Sequence, residues 1–184
     1  MRALDDLIRS GKVRYLGASN FSAWQLTHAN ALAALQGWSE FVSIQPHYNM
    51  LVREIEEELL PACDYFGIGV LPYFPLAGGF LTGKYRAGEP IPEGSRGEKS
   101  EYVQNFLTDE NFQILSKLIE FAQSRDHSLT ELAHAWLLSR PQVSSVISGA
   151  TKVEQVVANA RSAEWELSSE QSARVDEILA GQRE

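Results

Sequence analysis

Four groups of residues in this sequence have the types and spacing to do chemistry. Gly149, Ala150, Thr151 and Lys152 precede a helical stretch, Val153 to Ala160, and Gln155 and Asn159 follow within it. Backbone N–H groups at a helix start, beside a hydroxyl and an ammonium, favour an anion. Gln155 and Asn159 are four apart and so share one helix face. A second group runs from Leu76 to Lys84, where Gly78, Gly79 and Gly83 let backbone N–H groups approach a phosphate and Lys84 supplies a charge. A third is Ser19–Asn20, a hydroxyl and an amide able to hold a carboxamide by paired donor and acceptor bonds. The fourth is Gln45-Pro46-His47-Tyr48, at the end of an apolar run.

Other reactive side chains point nowhere in particular. His28, His47, His127 and His134 lack metal-ligand spacing, and a lone histidine of this kind is more often structural. His47 sits at a strand end and could face a pocket. Cys63, within a helical stretch, reads as a small core residue. Trp24, Trp38, Trp136 and Trp165 are scattered, as packing residues are.

The elements that position these groups alternate. Helical patterns span Ala3–Ser10, a stretch capped by Ser22, Arg53–Phe66 with Pro61 as a kink or break, Asp109–Ser124, a stretch capped by Ser128 or Thr130, Val153–Ala160, and a last helix from Ser168 or Ser169 to Leu179. Between them lie four short β-forming runs: Lys12–Ala18, Phe41–Pro46, Gly69–Phe74 and Val143–Ser148. Repeated β-α units demand a parallel sheet with helices packed on it, because parallel strands need long crossovers. Function in such folds sits at the C-terminal ends of the strands, where all four polar groups fall. An open doubly wound sheet and a (β/α)8 barrel both fit the alternation. The dinucleotide fingerprint G-x-G-x-x-G of the open sheet is missing after the first strand. A barrel takes about 250 residues and seldom fewer than about 200; with 184 residues and four strands, this is half of one.

Bulk composition excludes some roles. The net charge of −8 argues against nucleic acid and anionic membranes as partners, without forbidding a local basic pocket. No 18-residue apolar run exists to span a membrane, and the amphipathic N-terminus is not a signal peptide. A single cysteine makes no internal disulfide, which fits a reducing, cytoplasmic setting. The polar stretch Arg86–Glu101, holding Gly88, Pro90, Pro92, Gly94 and Gly97, reads as one long, mobile loop.

Four segments resemble the aldo-keto reductase family: GKVRYLGASNFS (Gly11–Ser22), SIQPHYNML (Ser43–Leu51), PYFPLAGGFLTGKY (Pro72–Tyr85) and SVISGATKVEQVVAN (Ser145–Asn159). Together they cover the chain from Met1 nearly to its end, in family order and at strand ends. The resemblance implies the C-terminal half, strands five to eight, of a (β/α)8 TIM barrel of NADP-dependent oxidoreductase type. It further implies NADP(H) at the strand ends and hydride transfer between carbonyls and alcohols. It assigns the nicotinamide amide to Ser19, Asn20 and Gln45, and a ring platform beneath the nicotinamide to Tyr73. The loop Pro75, Leu76, Ala77, Gly78, Gly83 and Lys84 would fold over the pyrophosphate. The 2′-phosphate and adenine would fall to Gly149, Ala150, Thr151, Lys152, Gln155 and Asn159, favouring NADP over NAD, with Arg96 reaching the adenosine phosphate from the loop. Plainer readings stand beside these: Asn20 as a helix cap, Tyr73 as a plug of the barrel top, Arg96 as a solvated loop residue. Phe74, Ala158 and Ser148 depart from a serine, a glutamate and a proline that are frequent in the family.

The family's acid–base set, a Tyr, a Lys, an Asp and a His, belongs to the first half of the barrel, so the resemblance carries no catalytic residue onto this sequence. Tyr48 is tempting but lies in a different segment. On this reading the 184 residues are one partial domain, inactive alone, with a small carbonyl substrate met only in the complete barrel. The alternative is a non-catalytic NADP(H)-binding regulatory or remnant subunit. Inward-facing residues such as Val13, Tyr15 and Ile44 would lose their opposite wall, and open sheet edges invite self-association.

Overall fold

The computed structural model describes Met1–Gly181; residues 182–184, the end of the expected C-terminal tail, lie outside the described residues. Helix α1 spans Arg2–Arg9 and leads to strand β1, Leu16–Ser19. Helix α2 (Ala23–Gln36) follows, then β2 (Phe41–Gln45), α3 (Leu59–Phe66) and β3 (Gly69–Val70). The second half is helical: α4 (Glu101–Gln104), α5 (Asp109–Gln123), α6 (Leu129–Leu138), α7 (Val153–Arg161) and α8 (Ser169–Ala180). The strands form one open parallel sheet in the order β1-β2-β3. No helix among the described residues is long and apolar enough to cross a membrane.

Local chemistry explains the boundaries. Ser22, Ser128 and Ser168 each accept from the backbone N–H three residues on, and Gln25, Glu131 and Gln171 reach back to the cap. These reciprocal pairs satisfy donors that a helix start leaves free. Gly37 and Gly67 end α2 and α3 in the left-handed conformation.

The differences from the sequence reading have physical causes. β1 begins at Leu16, not Lys12, because the Lys12 and Val13 N–H groups both donate to the Leu7 carbonyl and close α1. Pro61 neither kinks nor breaks a helix: α3 starts at Leu59 and Pro61 lies in its first turn, where no N–H is needed. β3 is shorter than Gly69–Phe74. Hydrogen bonds from Leu71 to Ile44 and from Tyr73 to Pro46 prolong the pairing with β2, but on the opposite side Pro72 has no N–H to give segment 143–147. The fourth run is not a regular strand. It meets β3 in two parallel bridges, Val70 with Val143 and Tyr73 with Ile147.

The core lies between sheet and helices. Leu16, Ala18, Ile44 and Val70 face it from the strands, and Leu26, Leu60, Leu118, Leu132 and Trp136 from the helices. Ile44 is therefore not on the uncovered face; it pairs with Ala18 and Val70 and is fully buried. Tyr15, 75% exposed, does stand open, as does Val42. On the uncovered face the chain is small: a Cβ on Gly17 would meet the Ser43 Oγ at 2.7 Å, and one on Gly69 the Ser144 Oγ at 2.5 Å.

Candidate functional site

A cleft of about 1520 Å³ runs along the C-terminal ends of β3 and of the bridged segment 143–147. Its walls are the turn after β3, the segment 94–100, and the start and inner face of α7. Of the residues singled out in the sequence, Tyr73, Pro75, Leu76, Gly78, Lys84, Arg96, Gly149, Ala150, Thr151, Gln155 and Asn159 line it. Ser19, Asn20, Gln45, Ala77, Gly83 and Lys152 do not, and Ala77 is fully buried. Asn20 is still joined to the cleft, because its Oδ1 accepts from the Tyr73 hydroxyl at 3.0 Å. Asn20 is not a helix cap; Ser22 has that role.

The turn after β3 is irregular by necessity. Gly78, Gly79 and Gly83 have φ of 66°, 105° and 76°, values open to glycine at little cost. The Lys84 ammonium folds over this turn, within 3.0 Å of where a Cβ on Gly79 would sit. Phe74 and Ala77 also adopt positive φ without being glycine. Asn49 holds the turn's entrance: its Nδ2 donates to the Phe74 carbonyl, and its Oδ1 accepts from the Leu51 and Val52 N–H groups. Sequence reasoning missed Asn49; its signal is a lone amide between the apolar Tyr48 and Met50.

Segment 86–101 crosses beside the cleft as a loop with one short 3-10 turn, Arg96–Glu98. It is pinned by Gly97, whose N–H donates to the buried Tyr85 hydroxyl at 3.0 Å. Arg96 projects over the Phe74 ring, 5.8 Å from its centre. Lys99, Ser95, Ser100 and Arg161, none anticipated, also border the cleft. Four cations (Lys84, Arg96, Lys99, Arg161) thus face two carboxylates (Glu131, Glu154), a local excess of positive charge in a chain of net charge −8. Among the described residues, none of these cations makes an ion pair.

At the start of α7, the Thr151 N–H and hydroxyl both donate to the Gln155 Oε1, at 2.8 and 3.2 Å. Gln155 thereby closes the helix start on itself and keeps its Nε2 for other partners. Lys152 occupies the cap position with no side-chain bond.

Aromatic rings close the strand-end side of the cleft. His47 stacks on Tyr73, with ring centres 5.3 Å apart and planes 12° off parallel, and its Nε2 meets the Tyr102 hydroxyl at 2.5 Å. Burial lowers the His47 pKa and pushes that of Tyr102 up to about 12. Tyr48, by contrast, is fully buried away from the cleft and donates to Glu56 at 2.7 Å; burial, then that bond, hold it protonated. Behind the cleft the buried His134 contacts the Ser148 hydroxyl at 2.9 Å, and burial depresses its pKa to about 4. The described residues contain no cluster able to hold a metal ion. Cys63 is buried, its thiol pushed up to about 11 by burial.

Comparison with known proteins fits this geometry. The sequence model described as "Aldo/keto reductase family" matches residues 1–180. Versiconal hemiacetal acetate reductase of Aspergillus parasiticus is 32% identical over 161 residues, 86% of this chain and 47% of that protein. An aldo-keto reductase of Alternaria alternata is 36% identical over 188 residues, 99% of this chain and 48% of its own length. A protein of Oryza sativa subsp. japonica named "Probable voltage-gated potassium channel subunit beta" is 39% identical over 163 residues, 86% and 49% respectively. The chain spans about half the length of the curated relatives it matches. Half-length coverage and an open parallel sheet agree with the C-terminal half of a barrel.

Proposed function

Because the chain belongs to the aldo/keto reductase family, we propose that it is the NADP(H)-gripping half of an oxidoreductase that interconverts carbonyl compounds and alcohols. The observation that carries this reading is the cleft itself: a groove with a glycine-built turn and four cations that make no ion pair among the described residues, in an otherwise acidic chain. A dinucleotide phosphate is long, multiply anionic and ring-ended, and such a groove fits it. The glycine turn leaves room under Lys84 that a side chain on Gly79 would fill.

When bound, the nicotinamide supplies or accepts the hydride. This chain's residues do the holding. The free face of Tyr73 offers a flat surface for a ring, with Ser19, Asn20 and Gln45 as carboxamide partners. The 76–84 turn and Lys84 take the pyrophosphate. Arg96, Gly149, Ala150, Thr151, Lys152 and the helix start behind them take the adenosine phosphate, and Gln155 and Asn159 the adenine. Segment 86–101 is a movable cover over that end. The acid–base Tyr, Lys, Asp and His that family resemblance implies are not matched in these residues, so alone the chain binds and does not turn over; the carbonyl substrate meets the complete barrel. The open edge of β1, beside the exposed Tyr15, pairs with the rest of that barrel or with a second copy. A cytoplasmic setting suits the lone buried thiol.

A relative's name favours a second reading, a regulatory subunit that senses NADP(H): the rice protein, like others among the relatives, carries a channel-subunit name. Both readings require cofactor binding, and turnover by the complete protein separates them. The test is fluorescence titration of the purified chain with NADPH and NADH. Saturable binding, tighter for NADPH, supports the assignment; a folded chain that binds neither refutes it.

A further inference from the structure

We propose that His47 and Tyr102 are positioning residues: they fix the ring plane of Tyr73 and tie it to α4, which seats the glycine turn. The inference rests on the cofactor reading above and says how this chain holds that site in shape.

Tyr73 alone would be a poor platform, since a phenol on a strand end can turn about its side-chain bonds. Two contacts remove that freedom. Its hydroxyl is held by Asn20, and one ring face is covered by His47 in a near-parallel stack. The platform is therefore only as well placed as His47. The Asn49 Nδ2, which can only donate, lies 3.4 Å from the His47 Nε2. Nε2 is then the lone-pair nitrogen, the ring proton sits on Nδ1, and the Tyr102 hydroxyl donates to Nε2.

Tyr102 belongs to α4, directly after the segment that borders the phosphate end. Its ring also stacks on Phe74, 5.3 Å away and 26° off parallel, and Arg96 rests over that same Phe74 ring. The next residue, Val103, is fully buried against the turn: a Cβ on Gly78 would meet its Cγ2 at 2.6 Å. A continuous line of contacts thus runs from Asn20 through Tyr73, His47 and Tyr102 to the glycine turn. Reorientation of α4 would release the ring plane, and a ring locked in place would favour the seated turn.

Fluorotyrosine NMR of the unliganded chain, with Tyr73 assigned by its Phe variant, tests the positioning directly. Titration with NADPH and with 2′,5′-ADP, which has no nicotinamide, tests its consequence. Wild type should give one sharp Tyr73 signal, and His47→Ala and Tyr102→Phe should shift or broaden it. NADPH should bind His47→Ala about five- to tenfold more weakly and Tyr102→Phe about threefold more weakly, with 2′,5′-ADP within about twofold of wild type. His47→Phe, which keeps the ring but not the acceptor, should recover part of the loss; if His47→Ala fails to fold, it and Tyr102→Phe decide the matter. An unmoved Tyr73 signal in the variants overturns the proposal. So does an equal weakening of both ligands, the mark of general loosening. If wild type binds neither ligand, the cofactor reading fails, while the Tyr73 signal still decides the positioning.

Discussion

The Tyr73 hydroxyl donates to the Asn20 Oδ1 at 3.0 Å, joining two strand ends that lie 53 residues apart. Asn20 can do this because its backbone is left-handed, with φ of 56°, a conformation that asparagine tolerates better than most side chains. Asn20→Ala loses the bond and keeps the strain, so it should destabilise the chain by about 2 kcal/mol in urea unfolding. Asn20→Gly loses the bond but relieves the strain and should cost about half as much. Equal midpoints for the two variants would contradict this account.

Arg96 should matter most for the adenosine phosphate. Arg96→Ala is expected to weaken NADPH binding about tenfold, about 1.4 kcal/mol, while NADH changes less than about twofold. The difference should shrink as salt rises, because Arg96 is exposed and its charge is screened. Parallel titrations at low and high ionic strength read both effects.

His134 makes the chain acid-sensitive. Its folded pKa of about 4 lies below the ordinary value of 6.5, so the unfolded chain binds the proton more tightly. The stabilisation is complete above pH 6.5, declines as pH falls, and is gone below pH 4. The shift corresponds to about 3 kcal/mol across that window. Melting temperatures from pH 7.5 to 4.5 should fall, and more steeply for wild type than for His134→Gln.

Asp176 carries the docking of α8. It accepts two bonds from the Arg140 Nη2, at 2.7 and 2.9 Å, and one from the Trp136 Nε1 at 3.1 Å, and it pairs with Arg53 at 3.2 Å. Both guanidiniums lie over the fully buried Trp136 ring, at 4.2 and 5.2 Å from its centre. Asp176→Ala strands the Arg140 and Trp136 donors, while Arg53 keeps its bonds to Glu56, and should cost about 2 kcal/mol, judged by denaturant midpoint. Asp176→Asn, which can still accept from Trp136, should cost less.

Much of this was legible in the residues. Ser22 marked the start of α2, and the starts of α6 and α8 were narrowed to two hydroxyl residues each, of which Ser128 and Ser168 are the caps, because capping is local chemistry. Gly78, Gly79 and Gly83 pointed to a backbone open to close approach, and all three adopt positive φ. The polar ends of the strands pointed to the cleft, and ten of the residues chosen there line it, with Arg96 from the loop beside them.

Other features depend on who stands opposite whom. That Val143–Ser148 is only bridged to β3 follows from Pro72, a neighbour 71 positions before Val143 in the chain that lacks the N–H the ladder needs. That Ile44 is buried while Tyr15 is open depends on the register between β1 and β2, which shifts between Leu16 and Gly17. The stack of His47 on Tyr73, its bond to Tyr102, the placing of Arg96 over Phe74 and the gathering of Lys99 and Arg161 at one groove join segments from distant parts of the chain. The sequence by itself determined the longer helices, the strand-like runs and the chemistry at their ends, since those depend on residues a few positions apart. Only the tertiary structure decided which of those groups share a cleft and which rings hold one another, because that is set by packing between segments that no local pattern connects.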